Sequence, residues 1–132
     1  YVEYAYAKQN NLAWTQLQNK DGKFVQPTQP AFAAAAANAD WKSAPGMGVV
    51  LTDEPGAQSW PVTSATFILV HKKQDKPESA KHVLAFFDWA FKKGGKSAEA
   101  RDDGDGPDAV TSQITALWKS EIKGPDGAPI WK

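Results

Sequence analysis

The chain has no cysteine, one arginine and two histidines among 132 residues. Without cysteine there is no disulfide framework, no thiolate metal site and no cysteine nucleophile. That absence is compatible with an oxidising compartment and does not require one. There is no net charge either, with 15 basic against 15 acidic side chains. Bulk attraction to nucleic-acid phosphates is therefore excluded as the working principle. Residues 1–59 sum to −1 and residues 60–132 to +1, so neither part is a charged tail. No apolar run approaches the ~18–20 residues that cross a bilayer. No Walker loop and no G-x-G-x-x-G occur, which removes the common backbone cradles for nucleotide phosphates. With Arg101 alone, bidentate guanidinium capture of an oxyanion has a single candidate.

What is present describes a folded chain. Hydrophobic residues make up 42% and charged residues 23%, a globular balance. Six Trp, six Phe and three Tyr supply large side chains for a core. Nine Pro and ten Gly cut the chain into short elements.

Residues 1–4 read as a strand end, and residues 5–11 as a short helix closing on Asn10 and Asn11. Residues 12–17 look extended. Asp21-Gly22 is a hairpin-type turn before a short strand at Phe24 and Val25. Thr28 suits an N-cap, with Pro30 in the first turn of a helix that carries five consecutive alanines, Ala33 to Ala37. Residues 41–60 read as irregular connection, with a short extended piece at 49–51.

Residues 65–70, Ala-Thr-Phe-Ile-Leu-Val, are the strongest strand signal and suit a strand buried on both faces. Residues 77–93 are the clearest helix, opened by Pro77 and Glu78 and stopped by a left-handed turn at Gly94-Gly95. Ala80, Val83, Leu84, Phe87, Ala90 and Phe91 form its apolar stripe. Phe86 and Trp89 widen the stripe, which predicts cover on more than one side and a buried Trp89. A last helix opens at Pro107 or Asp108, buries Val110, Ile114, Leu117, Trp118 and Ile122, and ends by Gly124.

Three features could carry chemistry. Asp102, Asp103, Asp105 and Asp108 crowd together with two glycines, as hard cations require, but the EF-hand spacing and its terminal Glu are missing. An exposed acidic turn at a helix start accounts for the same residues. His71 and His82 lie outside any nucleophile motif, and His82 could pair with Glu78 one helical turn earlier. Trp14, Trp41, Trp60 and Trp131 could build a sugar-stacking surface, whereas Trp89 and Trp118 fall on core stripes.

Three stretches, in order, carry a family resemblance. They are Tyr1-Val-Glu-Tyr-Ala-Tyr-Ala-Lys-Gln-Asn-Asn-Leu12, Trp60-Pro-Val-Thr-Ser-Ala-Thr-Phe-Ile-Leu-Val-His-Lys72 and Val83-Leu-Ala-Phe-Phe-Asp-Trp-Ala-Phe91. The closing residues 107–132, with Ala116-Leu-Trp-Lys119, fit as well. Together they resemble the C-terminal part of the periplasmic phosphate-binding proteins of bacterial ABC phosphate importers. The resemblance implies an α/β fold of the type II periplasmic-binding-protein class, present in part, with helices covering mixed sheets in two lobes. Residues 1–60 would end one lobe, residues 61–66 would cross between lobes, and residues 67–132 would belong to the other. The chain would be less than half of such a protein.

The implied partners are inorganic phosphate and the membrane subunits of the importer, with no nucleic acid. The implied compartment is the periplasm, and the whole protein would be monomeric. The family's phosphate ligands, a Thr-containing loop, a Ser, an Asp, an Arg and a Ser-Gly-Thr at a helix start, belong to its N-terminal portion. No Ser-Gly-Thr occurs here and Arg101 does not match the family's arginine. No catalytic, ligand-binding, metal-binding or cofactor residue is therefore assigned, and this chain is expected to be mainly scaffold. Residues 101–107, Arg-Asp-Asp-Gly-Asp-Gly-Pro, depart from the family's Leu-Asp-Tyr and apolar-Pro pattern. Two other readings of the residues are a metal-dependent phosphate-ester hydrolase built on Asp102, Asp103, Asp105 and Asp108, and a tryptophan-based sugar-binding module.

Overall fold

The computed structural model describes residues 1–99 and 108–132. In chain order the elements are α1 (Tyr4–Gln9), β1 (Leu17–Gln18), β2 (Phe24–Val25), α2 (Gln29–Asn38), a 3-10 turn (Pro45–Met47), α3 (Pro77–Lys93), α4 (Gly95–Glu99) and α5 (Asp108–Glu121). Among the described residues the sheet is one antiparallel pair, Leu17 opposite Val25 and Gln18 opposite Phe24. The Asp21-Gly22 turn between them takes φ +73° at Gly22, as its sequence requires.

α2 is nearly all alanine, and its buried side consists of Ala31 and Ala35. Methyl groups let other backbone come close, and the Trp60 N–H donates to the Ala31 carbonyl at 3.1 Å. Thr28 occupies the N-cap position, but its side chain makes no capping bond. α3 has an acidic first turn with Glu78 and a basic last turn with Lys92 and Lys93, which suits the helix dipole.

Among the described residues the interior forms three clusters. Val25, Ala31 and Trp60 form one, with Leu17 and Phe32 against it. Ala80, Leu84, Trp118, Ile122 and Ile130 form another, where α3 meets α5 and the C-terminal tail. Phe91 stacks on Trp118 at 5.9 Å, and Trp131 meets Trp118 edge-on. The third, Trp41, Leu51 and Val110, joins the 36–51 stretch to α5.

Several expectations change here. Residues 1–4 are not a strand, since Tyr4 opens α1 and packs edge-on against Trp14 and Phe32. Residues 65–70 are not a strand either. A ladder needs a neighbour, and among the described residues none lies beside them. Gly94 is right-handed, with φ −78°. Glycine is needed there because a Cβ would press on the Ala90 backbone, and the chain turns directly into α4. Val83, Phe86, Trp89 and Leu117 are exposed where burial was expected, and α3 buries only its Ala80–Leu84 side. Among the described residues no helix is long and apolar enough to cross a membrane.

Candidate functional site

Two concave surfaces stand out among the described residues, and neither is rich in chemistry. The larger is an open groove of about 480 Å³ lined by Gln16, Lys23, Phe24, Gln26, Thr28, Pro30 and Gln58, among others. It sits where the β1–β2 hairpin meets the start of α2. Its polar groups are carboxamides, one hydroxyl and one ammonium. The α2 N-terminus adds little to them. Pro30 has no N–H, and the Ala31 and Phe32 N–H groups already bond to the Thr28 carbonyl at 2.9 and 3.0 Å. The groove therefore offers side-chain donors and no backbone oxyanion nest.

The second surface, about 290 Å³, is lined by Lys72, Lys73, Glu121, Lys123, Gly124, Pro125 and Gly127. Backbone pairing gathers these lysines: Lys123 N–H donates to the Lys72 carbonyl at 2.8 Å, and Gln74 N–H donates to the Lys123 carbonyl at 2.9 Å. Lys72 Nζ lies 2.7 Å from Glu121 Oε2. That contact, first by its hydrogen bond and then by charge, holds the Glu121 carboxyl below its ordinary pKa. One carboxylate among three ammonium groups leaves a weakly positive, solvated patch.

A polar knot with buried Asn19 and Ser59 at its centre joins the same hairpin to the 55–59 loop. Asn19 Nδ2 donates to the carbonyls of Gly56 (3.0 Å) and Ser59 (3.2 Å), while its Oδ1 accepts from the Asp21 and Lys23 N–H groups. Ser59 Oγ donates to the Pro55 carbonyl at 2.7 Å and accepts from Asn38 Nδ2 at 3.2 Å. Among the described residues no buried side-chain polar atom lacks a partner. The knot is thus satisfied internally, and its role is to tie the hairpin, the end of α2 and the 55–60 loop together.

The sequence candidates scatter. His71 and His82 are exposed, and neither imidazole has a partner among the described residues. Glu78 pairs with Lys81 at 3.5 Å instead of with His82. Of the aspartate cluster, Asp102, Asp103 and Asp105 lie outside the described residues, as does Arg101; Asp108 begins α5. Among the described residues no three carboxylates or imidazoles converge on a cation site. Trp41 and Trp60 are buried, and Trp41 Nε1 donates to the Ala36 carbonyl at 2.6 Å. Trp131 is part-buried against Trp118. Trp14 is exposed but sits in the Tyr4 cluster, while exposed Trp89 sits with Phe86 on α3. The tryptophans named for a sugar platform therefore share no open face. The groove and the knot were not anticipated. Asn19 before Lys-Asp-Gly signals a local side-chain turn, but nothing in sequence marks its partners 37 and 40 residues away.

Similarity to known proteins is more specific than this geometry. The chain is 58% identical to the phosphate-binding protein PstS of Pasteurella multocida over 132 residues, all of this chain and 38% of that protein. This chain is related to the PstS phosphate-binding proteins. The PstS of Haemophilus influenzae is 55% identical over 123 residues, 93% of this chain and 37% of its own length. That of Xylella fastidiosa strain 9a5c is 43% identical over the same span, 34% of its length. No protein-family profile matches. The chain spans 38% or less of the length of these PstS relatives, so the resemblance read from its motifs holds for the segment it covers.

Proposed function

We propose that the chain is the C-terminal part of a solute-binding protein that captures inorganic phosphate between two lobes in the periplasm and delivers it to the membrane subunits of an ABC importer. The observation that carries this reading is 58% identity to a phosphate-binding protein along the whole chain. In this reading the chain is mainly scaffold. Neither groove presents convergent donors at a buried oxyanion position, and no described cluster suits hydrolysis. Phosphate would be held by polypeptide outside these residues, through neutral donors and helix N-termini closing around a dehydrated anion. Selectivity among anions would follow from unmatched buried hydrogen-bonding groups, which are costly.

The lobe division proposed from sequence has support in the packing. One core draws on residues 17–60 and another on residues 70–131. The Trp41–Leu51–Val110 cluster draws on both parts of the chain and joins them. The whole protein is proposed to act as a monomer and to have no enzymatic activity.

Isothermal titration tests the reading. The 132-residue chain alone should show no micromolar phosphate binding. Placed in the Pasteurella multocida PstS in exchange for the matching 38%, it should yield a protein that binds phosphate. Micromolar binding by the isolated chain, or a folded chimera without affinity, would overturn it.

A further inference from the structure

The sequence holds four Asp-Gly pairs, at 21–22, 103–104, 105–106 and 126–127. In such a pair no side chain shields the glycine nitrogen, which follows directly after the aspartate. Residues 103–106 lie outside the described residues, which leaves two pairs to compare. Their turns are alike in most respects. Asp21 and Asp126 are both exposed, and Gly22 and Gly127 have φ +73° and +79°. The Gly22 N–H donates to the Asn19 carbonyl at 2.9 Å, and the Gly127 N–H to the Gly124 carbonyl at 3.1 Å. They differ at the carboxyl. Asp126 Oδ1 accepts from the Ala128 N–H at 3.0 Å. Among the described residues no hydrogen bond or ion pair holds the Asp21 carboxyl.

The turns also differ in what depends on them. Asn19 Oδ1 accepts from N–H groups on both sides of the 21–22 linkage, Asp21 at 3.1 Å and Lys23 at 3.0 Å. The nitrogen of the same side chain holds the Gly56 and Ser59 carbonyls. Next to them the Ser59 N–H donates to the Gly56 carbonyl at 3.0 Å, and the Trp60 N–H to the Ala31 carbonyl at 3.1 Å. We propose that Asp21-Gly22 is a site of spontaneous covalent modification, where aspartate isomerises to isoaspartate and thereby loosens the 56–60 loop. The Gly22 nitrogen attacks the protonated Asp21 carboxyl. A bond forms between that nitrogen and Cγ, and the amide hydrogen leaves with the carboxyl hydroxyl as water. Water then adds to the cyclic imide. Opening at the main-chain carbonyl leaves the chain running through Cβ and Cγ, with a free α-carboxylate and no net change of mass. The backbone gains one methylene inside the span that Asn19 Oδ1 clamps, so the Asp21 and Lys23 N–H groups no longer converge on one oxygen. The site is independent of phosphate capture.

Peptide mapping of the 132-residue chain, aged at neutral pH, tests the chemistry. The protease is one that cuts before aspartate and not before isoaspartate. In the folded chain isoaspartate should build up about 5-fold faster at residue 21 than at residue 126, the factor that one ordinary hydrogen bond withholds. In urea the two rates should converge. Equal rates in the folded chain would overturn the proposal, as would a faster Asp126 or a preference that persists in urea. Hydrogen exchange on the separated isoaspartate-21 form tests the link to the loop. The amides of Lys23, Ser59 and Trp60 should exchange at least ~10-fold faster than in the unaged chain, with Leu84 on α3 unchanged. Unchanged Ser59 and Trp60, or equal acceleration at Leu84, would overturn the link. Asp21→Ser has no carboxyl to cyclise and should keep these amides slow through the same ageing. Acceleration in that variant would overturn the link as well.

Discussion

The side-chain amide of Asn19 reaches 40 residues along the chain to donate to the Ser59 carbonyl at 3.2 Å. Its oxygen meanwhile closes the hairpin turn by accepting from Asp21 and Lys23. One buried residue thus sets the local turn and fixes it to a distant loop. Asn19→Ala should destabilise the chain by about 1–3 kcal/mol, because the Gly56 and Ser59 carbonyls would stay buried without that donor. Asn19→Asp should cost more, since a carboxylate would then face two carbonyl oxygens. Urea denaturation of both variants checks the order.

Gly56 lies in the same knot with φ +114°. A Cβ there would strike Asn38 Nδ2 and come within 2.8 Å of Ser59 Oγ. Gly56→Ala should therefore cost roughly 2–3 kcal/mol, from backbone strain and collision together. Gly46, also at positive φ, has open space around it, and Gly46→Ala should cost less. Thermal melts of the pair separate collision from strain.

Leu84 is completely buried between α3 and α5, whereas Trp89, five residues on, is 51% exposed. Leu84→Ala should destabilise by about 2–5 kcal/mol. Trp89→Ala in the isolated chain should stay within about 0.5 kcal/mol of the parent, as surface changes do. A large loss at Trp89 in the isolated chain would show that this side of α3 is already covered.

Lys72→Met should raise the Glu121 pKa toward the ordinary carboxylate range, by removing the ion pair that depresses it. The pair's stabilisation is present above the unfolded carboxylate pKa and is lost as pH falls through the lowered folded value. Both groups are exposed, so the effect on stability should be small and should fade with salt. Carbon-detected NMR titration of the Glu121 carboxyl, in low and high salt, reads it directly.

Local pattern foretold local structure. The Asp21-Gly22 hairpin, the alanine helix, α3 and α5 each follow from turn residues, propensity and apolar spacing within a few turns of chain. What failed were judgements about surroundings. The stripe on α3 told that Phe86 and Trp89 are apolar, not what would lie over them. The 65–70 run told that the segment suits a sheet, not that a strand would be found beside it. The Asn19 knot was not legible, because its partners are backbone carbonyls, which any residue could supply.

Because α2 is almost bare of side chains, the spacing between the 56–60 loop and the rest of the first core is set by the thickness of the helix backbone itself. Ala31 and Ala35 are its buried contacts, and the Ala31 carbonyl also receives the Trp60 N–H. A methyl added at Ala31, which packs with Val25 and Trp60, would press on that loop. Evolution can redecorate the solvent side of this helix freely, but along its inner edge the shim has only one gauge.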